Sequence, residues 1–319
     1  MALMHTNVAA SAPQQDGWVA PGFEDVHAEF DRNFLERGEI GAAVAAFWRG
    51  EKVVDLWGGR RIPTGDAPWN PYTMVVVNST TKGLAAMTIG LYMQELIRRV
   101  DPAHRTLGRF FADEIARPLQ IEFYIGLPPD IPDERLAPLK PYSPMRGLAA
   151  LRTTPFGMVM RVVWPWSLLR KSMLFADMPI NDRRALEVEI PAGNGVGTAR
   201  AIARAYSAFA EGGEELGITP ATLAALTEPH DVEPRKDAVM GSPDSLSLGY
   251  LRPGPELIFG SSERAFGTPG AGGSFAYADP DARLGYAYVM NNLNYYFFDD
   301  PREKALRDAV HASIRRLSG

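Results

Sequence analysis

The sequence predicts an α/β fold in which a single antiparallel sheet is assembled from both chain ends, flanked by terminal helices, with a helical region inserted between. Three observations carry this. Apolar, strand-like runs stand near the start, at Gly41–Trp48 and Lys52–Trp57, and return near the end in "SLSLGYL", "ELIFG" and "GGSFAYADPDARLGYAYVMNN". Helical patterns lie outside those runs, at Phe23–Arg37 and Pro301–Leu317. The stretch between holds helices and long loops. Residues 21–319 are therefore expected to form one unit, with its sheet drawn from 21–77 and 240–319 and its helical and loop region from 78–239. Residues 1–20 are expected to be a disordered tail.

Each element has its own signal. Phe23, Val26, Phe30, Phe34 and Leu35 share one stripe of the first helix, and Gly38 stops it. Arg49-Gly50-Glu51 separates two apolar runs as a hairpin turn does. Met74–Val77 is a third short strand. It leads into a helix over about Thr80 to Arg99, with Leu84, Met87, Leu91, Met93 and Leu96 inward, ending before Asp101-Pro102. Leu107–Leu119 reads as a helix and "IEFYIGLP" as a strand stub. Residues 128–195 are irregular and proline-rich, and their "MVMRVVWPWSLLRKSML" is expected to be a lid or a buried helix. Thr198–Glu211 and Pro220–Leu226 are helical, and Asp279-Pro280-Asp281 turns the last hairpin.

Composition narrows the function. The chain has 319 residues, 46% hydrophobic, with net charge −5 and its 33 basic residues scattered, which argues against nucleic acid. Cysteine is absent, so disulfides and thiolate metal sites are excluded. His5, His27, His104, His230 and His311 have no metal-ligand spacing, so neither metal nor cofactor is expected. No basic stretch leads into an apolar one at the N-terminus and no apolar run spans a bilayer, so a soluble cytoplasmic protein without stable membrane insertion is expected.

The chemistry-bearing motif is "VVVNSTTKGLAA". Ser79 and Lys82 are three apart at a helix start, so both fall on one face. Ser79 is then either an N-cap beside a solvated lysine, or a nucleophile whose proton the Lys82 amine takes. Free N–H groups of the first helical turn would favour an oxyanion there. A second stretch, "FGTPGAGGSFAY", crowds glycines at a strand, either for a tight turn or to bring backbone N–H groups to a substrate carbonyl. "PAGNGVGTARAIARAY" lacks the Gly-x-Gly-x-x-Gly frame of a dinucleotide loop and reads as a glycine-rich helix entry. No serine has the Gly-x-Ser-x-Gly frame, and His230 and His311 read as loop and helix-surface histidines.

Taken together, "NSTTKG", "RFFADEIARPL" with "YIGLP", "NGVGTARAIARAY", "GTPGAGGSFAYADPDARLGYAYVMNN" and the two terminal helices resemble the serine β-lactamase and penicillin-binding-protein superfamily, in the class C-like branch that includes family VIII carboxylesterases. The resemblance covers most of the chain. It implies a β-lactamase-like fold, Ser79 as acylated nucleophile and Lys82 as its base or proton relay. It also implies an oxyanion hole from the N–H groups of Ser79 and Ala271, with Gly270, Gly272 and Gly273 lining the substrate. A small-molecule ester is the implied substrate. Two departures stand out. The family's catalytic tyrosine lies in a segment that Val100–Thr106 bypasses here, and neither Tyr92 nor Tyr124 holds its frame. Thr268 occupies the slot where the family's third motif carries Lys or His. These departures leave open a catalytically weak relative that serves in binding or self-assembly, and the shortened region predicts a homo-oligomer.

Overall fold

The computed structural model describes residues 15–81, 90–142, 156–168, 179, 181–228, 246–254, 257–296 and 298–319. The strands are β1 (Gln15–Val19), β2 (Gly41–Trp48), β3 (Glu51–Gly59), β4 (Met74–Val76), β5 (Phe123–Tyr124), β6 (Leu136–Ala137), β7 (Val196–Gly197), β8 (Leu246–Ser247), β9 (Tyr250–Leu251), β10 (Phe266–Pro269), β11 (Phe275–Asp279) and β12 (Leu284–Met290). The helices are α1 (Glu24–Leu35), α2 (Gly90–Val100), α3 (Leu107–Phe111), α4 (Phe156–Val163), α5 (Arg183–Glu187), α6 (Ala199–Ala210), α7 (Pro220–Thr227) and α8 (Pro301–Ser318).

The large sheet runs β1-β3-β2-β12-β11-β10-β9-β8, antiparallel throughout. The two chain ends meet where β2 pairs with β12, from Trp48 opposite Leu284 to Ala42 opposite Met290. Side chains alternate across this seam. On one face Ala276, Ala287 and Ala45 stand in register as a strip of small residues. The alanine-rich α6 lies on it so closely that a Cβ on Gly285 would stand 2.6 Å from Ala203 O. On the other face Tyr277 and Tyr286, in register, reach α8: Tyr277 Oη is 2.8 Å from His311 Nε2, and Tyr286 Oη donates to Glu303 O. Helix α1 packs against α8 on that side.

Several expectations need correction. Gln15–Val19, assigned to the tail, pairs with β3 along its whole length. Leu35 points outward, because the stripe that turns to the core is Phe23, Val26, Phe30 and Phe34. Strand β4 does not extend the large sheet. It sits in a second sheet, β5-β7-β4-β6, antiparallel to β7 and parallel to β6. A three-residue run of buried apolar side chains carries no mark of which sheet will take it. Of "ELIFG", the described residues 257–260 form no strand: Leu257 makes an isolated bridge with Gly254, and Phe259 packs edge-on against Phe275.

Candidate active site

Strand β4 delivers the chain into a 3₁₀ turn, Asn78–Thr80, followed by Thr81 in a helical conformation. Asn78 has φ +47°, a left-handed conformation that asparagine tolerates better than most residues. Its side chain then donates to Ala271 O at 2.7 Å. Ser79 is partly exposed while Thr80 and Thr81 are wholly buried. The two threonines after the serine are inward pins. Thr80 Oγ1 lies 3.0 Å from Ser274 Oγ, and Ser274 Oγ donates to Val77 O at 3.0 Å. Thr81 Oγ1 donates to Asn78 O at 2.5 Å and accepts from Gly195 N at 2.9 Å.

The Ser79 turn is therefore clamped from two sides. On one, Val77 N donates to Gly195 O at 3.0 Å, and the loop before β7 is fixed by buried Asn194, whose Nδ2 donates to Ala185 O and Val188 O. "NGVG" is thus a structural splice beside the serine. On the other side is the β10–β11 turn, closed by Gly270 N donating to Ser274 O at 2.7 Å. A Cβ on Gly270 would stand 2.6 Å from Thr80 Oγ1, so glycine there lets this turn reach the serine turn. A Cβ on Gly273 would stand 2.6 Å from Asp300 Oδ2. Gly272 O accepts from Asn294 N at 3.0 Å and Arg302 Nη2 at 3.3 Å. Ala271, between them, is exposed.

Behind this turn lies a buried charge cluster that carries no sequence motif. Arg302, fully buried, grips Asp300 through Nε (3.0 Å) and Nη2 (2.7 Å), Glu39 through Nη1 (3.2 Å) and the Asn292 carbonyl (2.9 Å). Tyr288 Oη donates to Glu39. Burial pushes the Glu39 carboxyl above its usual range, and Arg302 opposes that. Asp300 also caps α8, accepting from Arg302 N at 3.0 Å; an Asp-Pro step at a helix start signals a cap and nothing more. Nearby, Tyr142 and Tyr295 pack with ring centroids 4.8 Å apart, one residue past the Asn294 contact with the turn.

Ser79, Gly270, Ala271, Gly272 and Gly273 are thus brought to one place. Lys82 and His230 lie outside the described residues. His311 is not a surface histidine: it is buried against Tyr277, and burial lowers its pKa. Asp101–Thr106 joins α2 to α3 directly and holds no tyrosine. Its Asp101 is gripped by Arg105 at 2.9 Å through both Nε and Nη2. Tyr92 is exposed on α2. Tyr124 lies on β5, where burial and then Glu122 raise its hydroxyl pKa, the wrong direction for a base. Thr268 is buried opposite Ala276. A cavity of about 220 Å³ lies behind β4, lined by Met74, Val75, Val76, Leu136, Leu186 and Val196 among others, and neither Ser79 nor Ala271 borders it.

A sheet closed by both chain ends, with a serine turn locked between it and a small second sheet, defines a β-lactamase-like protein. The Beta-lactamase family profile matches residues 88–311, and the chain belongs to that family. Esterase/beta-lactamase LipL of Mycobacterium tuberculosis is 31% identical over 216 residues, which are 65% of this chain and 48% of LipL. The chain thus spans about half the length of this curated relative. A penicillin-binding-protein homologue from Caulobacter crescentus superposes with TM-score 0.76 at 27% identity, covering 94% of this chain and 100% of that one. A family VIII carboxylesterase does so at 0.74 and 26%, with the same coverage. EstA from Arthrobacter nitroguajacolicus Rue61a, at 0.75 and 24% over 95% of this chain and 100% of that one, shares the fold.

Proposed function

We propose that this protein is a serine hydrolase of small carboxylic esters that works through an acyl-enzyme on Ser79. The observation that supports it best is the clamp on the serine turn: Asn78 to Ala271 O at 2.7 Å and Thr80 to Ser274 at 3.0 Å. It fixes a partly exposed serine beside a glycine-rich backbone turn, the arrangement that oxyanion stabilisation needs. Ser79 Oγ would attack the ester carbonyl carbon while Lys82 takes the hydroxyl proton. The N–H groups of Ser79 and Ala271 would hold the oxyanion, and collapse would expel the alcohol. Water would then cleave the acyl-enzyme and return the serine. Esterase in the names of LipL and of the family VIII structure agrees with this substrate class.

A second reading, a weak or inactive relative that binds without turnover, draws on the connection Asp101–Thr106, which has no tyrosine, and on Thr268 in place of a cation. Active-site labelling separates the two. A fluorophosphonate should attach to Ser79, as located by peptide mass spectrometry, and fail to attach in Ser79→Ala; loss in Lys82→Ala as well would support the base role. No labelling from neutral to alkaline pH would refute the hydrolase and leave the binding protein.

A further inference from the structure

The cavity behind β4 takes no part in the serine site, and its lining joins an apolar wall to a cation. Its volume of about 220 Å³ exceeds the roughly 150 Å³ in which an engineered apolar cavity stays dry and binds benzene. Met74, Val75 and Val76 of β4, Leu136 of β6 and Val196 of β7 supply the apolar part. Asp133, with its side chain 75% exposed, marks the opening to solvent. Two arginines also line the cavity, and they differ. Arg183 has every nitrogen engaged: Nε with Glu187 (2.9 Å), Nη1 with Asp133 Oδ1 (2.9 Å) and Ile131 O (2.6 Å), and Nη2 with Pro128 O (2.8 Å). Arg61 uses Nη1 alone, donating to Leu136 O at 2.8 Å and Asp133 O at 3.3 Å. Among the described residues Arg61 forms no ion pair, and its Nε and Nη2 stay uncommitted. That Nε–Nη2 edge is the one with which Arg200 grips Asp55, at 2.9 and 3.0 Å. Arg105 grips Asp101 with the same edge, at 2.9 Å through both nitrogens. An arginine that keeps this edge free beside an apolar wall suits a carboxylate joined to hydrocarbon.

We propose that this cavity is a second ligand site, one that binds a small carboxylic acid with an apolar tail. The carboxylate accepts two hydrogen bonds from Arg61 Nε and Nη2, and the tail lies along Met74, Val76 and Leu136. Scaled from benzene in the smaller cavity, the volume admits a tail of about six to eight carbons. Burial of the tail removes apolar surface from water on both ligand and wall. The guanidinium fork sets the orientation and rejects the matching alcohol, which cannot accept a charged pair of hydrogen bonds. Asp133 at the opening is already held by Arg183 at 2.9 Å, which offsets its repulsion of an incoming anion. The bound acid rests on the β4–β7 pair, Val75 opposite Gly197 and Val76 opposite Val196, and not on Ser79 or Ala271. Binding here is independent of whether Ser79 turns over esters.

The test is isothermal titration calorimetry of the full chain with octanoate, octanol and acetate at neutral pH. Octanoate should bind at least about tenfold more tightly than octanol, which lacks the charge, and than acetate, which lacks the tail. Arg61→Gln removes the charged fork and Leu136→Trp fills the cavity; each should weaken octanoate about tenfold or more. Ala271→Trp, which covers the serine side, should leave octanoate binding unchanged. Circular dichroism and urea midpoints check that the variants keep the fold. In the wild type, the methyl resonance of Met74, assigned through Met74→Leu, should shift as octanoate is added. The proposal is overturned if octanoate does not bind, if octanol binds as tightly, if both cavity variants bind like the wild type, or if the Met74 resonance stays in place. Loss of binding in Ala271→Trp alone would overturn it too, by assigning the acid to the serine site.

Discussion

Glu303→Gln probes the buried carboxyl on α8 and should gain stability relative to the wild type as pH rises. Glu303 is buried beneath the large sheet, its Oε1 3.1 Å from Arg307 Nε in an ion contact without a hydrogen bond. Burial raises its pKa from the usual 4.5 to about 7, Arg307 opposes the shift, and Asp300 and Asp299 add to it. The folded protein therefore holds this proton up to about pH 7, while the unfolded chain releases it near 4.5. Stability from that proton is fully present below the lower value and is lost as pH rises through the upper one. At 1.36 kcal/mol per unit, the loss approaches about 3 kcal/mol by pH 8. Glutamine matches glutamate in size and cannot ionise, and Arg307 keeps Asp299 at 2.5 Å. Urea unfolding followed by fluorescence should show the variant close to the wild type at about pH 5 and ahead by up to about 3 kcal/mol at about pH 8. A difference that stays constant with pH, or a variant that falls behind as pH rises, would refute the reasoning.

Two further perturbations address the serine site. Gly270→Ala places a methyl group against Val77 O, Ser274 Oγ and Thr80 Oγ1, so it should cost about 1–3 kcal/mol by urea unfolding and cut fluorophosphonate labelling of Ser79 sharply; unchanged labelling would mean that the β10–β11 turn takes no part. With no tyrosine in Asp101–Thr106 to protonate a leaving group, p-nitrophenyl butyrate should outpace ethyl butyrate by about 10²–10⁴ more than in a relative that keeps the tyrosine, since that is the worth of general acid help. Equal turnover of the two esters would show that another residue supplies the proton.

The parts of this fold legible in the sequence are those with a long periodic signal. The β11–β12 hairpin alternates over many residues, α6 starts at its Thr198 cap, and α8 starts at Asp300-Pro301. What stayed hidden depends on partners far along the chain. The same apolar triplet Met74–Val76 would suit either sheet, and the choice rests on Gly195 and Val196 arriving beside it. Gln15–Val19 has little apolar content of its own and becomes a strand because β3 offers it an edge. His311 on a charged helix looks like a surface residue until Tyr277 stands opposite it.

The candidate site follows the same rule. Ser79 and the glycine cluster could be picked out because each is a local motif, yet the contacts that join them are not local. Thr80 to Ser274 crosses 194 residues and Asn78 to Ala271 crosses 193. Ser79 stands at the end of a strand of the small sheet, while Ala271 stands in a turn of the large one. Neither sheet alone fixes the distance between them. That distance is set by a few short polar side chains in the seam, Asn78, Thr80 and Ser274, and by Arg302 holding the far side of the turn through Gly272 O. Buried hydroxyl and amide groups need partners, so a seam closed by them has one favourable register, whereas an apolar seam could slide. Asn78, Thr80 and Thr81 therefore matter to the serine beside them through where they hold it.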